Sequence, residues 1–181
     1  DGFHRQFVHG TEILDFLHAI DGSGEDANIL SFLDNERIRQ GELCRHIVCV
    51  LPYRASCDAM EIMLKEHASE FRNLSQYEVI NIAGVENERR FNKIEKVTRY
   101  ITECESRDQK TMTLTVNRML TGSTVPEWDT MLYLKDTASP QEYDQAVFRL
   151  QNPYIKTYKD SDGNVIKYNM KPQTLLVDFD P

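Results

Sequence analysis

His46-Ile47-Val48-Cys49-Val50-Leu51 runs apolar up to Pro52. A short run of this kind, stopped by proline, reads as a strand covered on both faces, because neither face has to meet water. Downstream, residues 55 to 67 carry Ala59, Met60, Met63 and Leu64 at helical spacing. Tyr77-Glu78-Val79-Ile80-Asn81-Ile82-Ala83, closed by Gly84, reads as a second strand. From Glu88 to Glu105, Phe91, Ile94, Val97, Ile101 and Cys104 recur every three or four residues, the signature of an amphipathic helix with a charged outer face. Thr111 to Val116 alternates Thr with Met, Leu and Val, which predicts a strand with one less buried face. Thr130-Met131-Leu132-Tyr133-Leu134 is a fourth strand.

Beyond it, Ser139-Pro140-Gln141-Glu142 has Ser at N-cap, Pro at N1 and Glu at N3, a capping box that predicts a helix to about Gln151, stopped by Pro153. Tyr154 to Lys159 and Val165 to Met170 flank Asp160-Ser161-Asp162-Gly163-Asn164, a β-hairpin pattern with a Gly-containing turn. Thr174 to Phe179 reads as the last strand. Upstream of the central run lie two helical patterns, Ile13 to Ile20 and Asn28 to Arg39, separated by Asp21-Gly22-Ser23-Gly24. The order predicts an open α/β, mostly parallel sheet with helices on both faces and a hairpin near the C-terminus. Residues 1–43 are expected to form a helical segment packed on a single domain spanning 44–181. Ligands of such sheets bind beyond the carboxyl ends of the strands, so the loops after Leu51, Ala83, Val116 and Leu134 are where chemistry is sought.

The chain has 181 residues, enough for one domain with a core of its own. Its net charge of −8 points away from bulk electrostatic capture of nucleic acid; contacts would come from a few hydroxyls, backbone N–H groups and helix N-termini. A surface charged for solubility explains the same number. Cys44, Cys49, Cys57 and Cys104 show no C-x-x-C spacing, and no His pair completes a zinc pattern. They read as reduced packing residues, which implies a cytoplasmic setting. No signal peptide and no apolar run of membrane-spanning length occurs, so no membrane partner is expected. Because Asp1 is not Met, the chain reads as a piece of a longer protein.

Asn117-Arg118-Met119-Leu120-Thr121-Gly122-Ser123-Thr124-Val125-Pro126 follows the third strand, and Gln145-Ala146-Val147-Phe148-Arg149 lies in the capped helix. The first stretch resembles helicase motif V in the L-T-G-x-x-x-P form of type I and type III restriction motor subunits. The second resembles motif VI, a Gln followed four residues later by Arg. His46 to Tyr53 is then similar to motif IV, and the resemblance covers roughly residues 44 to 180. It implies a RecA-like fold, the second lobe of a superfamily-two helicase or translocase. ATP with Mg²⁺ would be sandwiched against a first lobe, which this chain does not contain: no G-x-x-x-x-G-K-[ST] and no acidic box follow a strand. The resemblance assigns Arg149 to the transferred phosphoryl group, where a guanidinium is worth on the order of 10³ to 10⁵ in rate. Gln145, one turn earlier, positions Arg149 or contacts nucleotide. Gly122, Thr124 and Arg118 face the nucleotide, and Thr121, Tyr53, Arg54 and Gly84 the nucleic acid, DNA rather than RNA.

This sequence departs from the family at two places. A second motif VI arginine is replaced by Asn152, and the motif V acidic position falls at Thr124. Arg118 is the nearest substitute for the second charge. A degenerate, non-catalytic lobe that binds nucleic acid or a partner is the alternative. An unrelated dinucleotide-binding domain is opposed by the lack of G-x-G-x-x-G after any strand. Plainer roles also exist for each residue: a surface ion pair for Arg149, a turn for Gly122, ordinary loop roles for Tyr53 and Arg54. Trp128 either stacks on a base or plugs a core edge. Asp178 and Asp180, a lone D-x-D, are weak grounds for a nuclease.

Overall fold

A computed structural model describes residues 10–23, 31–83, 94–116 and 125–134, and the backbone of strands at 155–159, 165–169 and 175–178. The elements, in chain order, are α1 (Gly10–Asp21), α2 (Glu36–Arg39), β1 (His46–Leu51), α3 (Arg54–Glu66), β2 (Tyr77–Asn81), α4 (Ile94–Ser106), β3 (Lys110–Val116), β4 (Thr130–Tyr133), β5 (Ile155–Lys159), β6 (Val165–Asn169) and β7 (Leu175–Asp178). Five strands form one sheet in the order β2-β3-β1-β4-β7, and every neighbouring pair in it is parallel. β5 and β6 form a separate antiparallel hairpin. This is the open α/β, RecA-like sheet expected from the alternation of apolar runs and helices.

Parallel strands need helical crossovers, and these bury both sheet faces. β1 is buried along its whole length. Its residues alternate between two cores: Ile47, Cys49 and Leu51 pack with α1 and α3, while Val48 and Val50 pack with α4. Each buried Val, Leu or Ile contributes roughly 1.5–3 kcal/mol relative to exposure. The first core takes Ile13, Phe16, Leu17 and Ile20 of α1 and Cys57, Met60 and Leu64 of α3. The second takes Val97 and Ile101 of α4 together with Trp128.

Two expectations are corrected. The threonine face of β3 is fully buried: Thr111, Thr113 and Thr115 have no exposure. Threonine has the outline of valine, and its hydroxyl tolerates burial when bonded. Thr111 meets the His46 ring at 2.9 Å, Thr113 accepts from the Trp128 indole N–H at 3.3 Å, and Thr115 donates to the Val116 carbonyl at 3.2 Å. The second N-terminal pattern, 28–39, is not one helix. In its described part, a 3₁₀ turn at Phe32–Asp34 is cut from α2 by Asn35, whose extended backbone and side-chain bond to the Arg37 N–H restart the chain as a new helix.

α1 is anchored through its last residue. Asp21 is fully buried and accepts from the backbone N–H groups of Arg72, Asn73 and Leu74 at 3.0, 2.9 and 2.7 Å, while Asn73 Nδ2 donates to the Asp21 carbonyl. Gly22, at φ +79°, then turns the chain out of the helix; a Cβ there would lie 2.7 Å from that of Asp34. Asp21→Ala strands three backbone donors, two of them in buried hydrogen bonds, and is expected to lower stability by about 3 kcal/mol or more. A fall in the urea midpoint at constant m-value checks this; an unchanged midpoint contradicts the anchoring role.

Candidate nucleic-acid interface at the carboxyl edge of the sheet

β1 passes at its carboxyl end into α3 on one face, whereas the chain that leaves β3 returns to β4 through Val125 and Trp128 on the other. Neighbouring strands whose continuations diverge leave a crevice between them, the usual ligand position in open α/β sheets. The register pairs Leu51 with Val116, so the segments beginning at Pro52 and Asn117 depart side by side. The four expected loops therefore do share an edge, at least at their points of departure.

Tyr53 and Arg54 lie within the described residues. Tyr53 holds an extended backbone (φ −138°, ψ 157°) as the residue before α3, and its carbonyl accepts from the N–H groups of Ser56 and Cys57 at 3.0 and 3.3 Å. Its ring is 73% exposed, the one large apolar side chain left in water among the described residues. No side chain caps the start of α3 and no carboxylate occupies its first turn, and Asp58 opens the next, where its charge reaches Cys57. Arg54 Nε donates to the Ala83 carbonyl at 2.7 Å, tying the loop after β1 to the end of β2, next to Gly84.

Three further residues shape this edge and were missed from sequence. Asn81 Nδ2 donates to Asp58 Oδ1 at 2.9 Å and to Glu61 Oε2 at 3.0 Å, and its Oδ1 accepts from the Ala83 N–H at 3.3 Å. The signal was present: Asp58 and Glu61 share a helix face at i, i+3, and Asn81 interrupts the apolar stretch Val79 to Ala83. Gly84, Arg118, Thr121, Gly122, Thr124, Gln145 and Arg149 lie outside the described residues. Among the described residues, no group of three or more His, Cys, Asp or Glu is placed to hold a metal ion, and no helix is long and apolar enough to cross a membrane.

The amino edge is built differently. Arg45 pairs with Glu105 at 3.1 Å and Asp108 at 2.7 Å, and His46 contacts Glu105 at 2.5 Å. Asp129 receives the N–H groups of Arg45 and His46 and the Thr130 hydroxyl. Burial pushes the Asp129 carboxyl above the usual aspartate range, against the pull of these bonds and of His46. The cluster lies at the end of the sheet opposite Pro52 to Arg54, and every named group in it has a partner. It clamps the start of β1 rather than forming a site. Trp128 is buried beside it, which removes it from base stacking.

Over 116 residues the chain is 32% identical to a Mycoplasma pneumoniae protein provisionally described as the C-terminus of a type II restriction enzyme and methyltransferase. The matched segment covers 64% of this chain and 16% of that protein, so the chain spans a small part of its relative's length. The chain is thus similar to one part of a protein described in those terms. No protein-family model matches the chain.

The thiols carry no chemistry at this edge. Burial pushes Cys44 and Cys57 up to about 12, raises Cys49 further, and raises Cys104 as well. At pH 8 Cys44 and Cys57 should therefore hold on the order of a thousandfold less thiolate than free cysteine. Thiol counting with a disulfide reagent is expected to find almost none in the native chain and four after unfolding. Rapid native labelling of Cys57 would contradict its burial.

Proposed function

We infer that this chain is the second motor lobe of an ATP-dependent DNA translocase belonging to a restriction or defence enzyme. The observation that carries the reading is the parallel register of β1 with β3. It sends Pro52-Tyr53-Arg54 and the segment resembling motif V from adjacent points of the carboxyl edge. The relationship to a restriction-enzyme protein supports DNA as the substrate rather than RNA.

In this reading the nucleotide lies between this lobe and a first lobe that holds ATP and Mg²⁺. Arg149 reaches the transferred phosphoryl group across the cleft and offsets the charge spreading over its oxygens. Gln145, one helical turn earlier, fixes the arginine. Gly122 permits close backbone approach, and Arg118 supplies a second positive charge where Asn152 replaces the usual arginine. Exposed Tyr53 and the uncapped start of α3 face the DNA, with the loop held in place by Arg54. Closure on ATP and opening after hydrolysis would move the protein along DNA.

DNA-stimulated ATP hydrolysis by the full-length protein, beside its Arg149→Ala variant, tests the reading. The variant is expected to lose at least about a hundredfold in kcat, a threshold set below the roughly 10³ to 10⁵ that such arginines supply. An active wild type with an unaffected variant rules out the assignment of Arg149. A wild type that hydrolyses no ATP with any nucleic acid favours the degenerate lobe, a reading that Thr124 and Asn152 already support.

A further inference from the structure

β5 and β6 stand apart from the five-stranded sheet as an antiparallel ribbon. In such a ribbon, residues directly opposite one another share a face. The register therefore sorts the ten residues into two sets. One face carries Lys156, Tyr158, Ile166 and Tyr168. The other carries Thr157, Lys159, Lys167 and Asn169, with Ile155 and Val165 at its corners. Three lysines and no carboxylate fall in these ten positions, in a chain with 29 acidic and 21 basic residues. The two aspartates nearest the strands, Asp160 and Asp162, belong to the connection 160–164.

A lone two-stranded hairpin is marginal in water and needs a surface against either face. The face with two tyrosines and an isoleucine has the composition to rest on protein. The opposite face offers hydrogen-bond donors and positive charge. Lys159 and Lys167 are diagonal neighbours on it, about 7–8 Å apart. A two-stranded ribbon fits the major groove of duplex DNA, and lysines so spaced can neutralise separate phosphates.

We propose that the β5–β6 ribbon is a DNA-binding element whose Thr157, Lys159, Lys167 and Asn169 face lies against the phosphates of duplex DNA. This rests on the reading that the protein acts on DNA. It also gives an acidic chain a local means of engaging a polyanion: Lys159 and Lys167 share one ribbon face that carries no carboxylate.

The test is fluorescence anisotropy of a labelled DNA duplex with the 181-residue chain, between about 50 and 200 mM salt. Lys159→Gln/Lys167→Gln is compared with Lys156→Gln from the opposite face. The double variant is expected to raise Kd roughly tenfold at low salt and to reduce the slope of log K against log salt by about 1.8. Lys156→Gln should leave both nearly unchanged. Circular dichroism and the urea midpoint verify folding, and if the double variant unfolds, Lys167→Gln alone carries the test with a slope change of about 0.9. A double variant that binds like wild type, or a Lys156→Gln that loses as much, overturns the ribbon as the contact while leaving the DNA reading in place. A wild type that binds no duplex at about 50 mM salt overturns both. Tighter binding to an RNA duplex or to a single strand overturns the commitment to duplex DNA.

Discussion

Parallel pairing of β1 between β3 and β4 is the constraint on which the rest of the structure depends. A strand in that position has neighbours on both edges and helices over both faces, so six consecutive residues must be apolar or fully bonded. The side-chain period of two then divides the molecule. Ile47, Cys49 and Leu51 build the core under α1 and α3, and Val48 and Val50 build the core under α4. A slip of one residue would exchange the two sets and break both cores at once.

The two ends of β1 are treated unequally. At the amino end, Arg45 and His46 are held by Glu105 and Asp129 almost without exposure, and Arg45 also by Asp108 at the surface. Removing one partner from such a cluster leaves a buried charge uncompensated, so the arrangement is rigid rather than adaptable. At the carboxyl end the bonds are shorter in sequence reach: Arg54 donates to the Ala83 carbonyl, and the Asn81 amide donates to the side chains of Asp58 and Glu61. Among the described residues there, Tyr53 is exposed. Open α/β folds commonly keep a firm base at one end of the sheet and present loops at the other.

Charge adds a second division. The chain as a whole is acidic, and the exposed charges of α3 and α4 are balanced, with Glu66, Glu95 and Glu103 against Lys65, Lys96 and Arg99, so neither helix offers a basic face. In the proposed DNA-binding role, contact would be local, through an exposed ring or the lysines of the hairpin.

The sequence by itself determined the fold class, the helix α1, the strands and the hairpin, because binary pattern and turn residues are local signals that tertiary contacts had no reason to override. It also carried the resemblance at 117–126 and 145–149, whose residues lie outside the described structure. Other features were decided only by tertiary structure. The alternation at Thr111–Val116 looked half-exposed because threonine is polar in the one-dimensional pattern; His46 and Trp128, distant in sequence, supply the partners that allow its burial. Asn35 broke the second N-terminal pattern through a local cap, a signal present in sequence but outweighed by helical spacing around it. Asp21, Asn81 and the Arg45–Glu105 clamp bond to residues between 20 and 60 positions away. Hydrogen bonds of that reach depend on where the folded chain brings its groups together, and no periodicity records it.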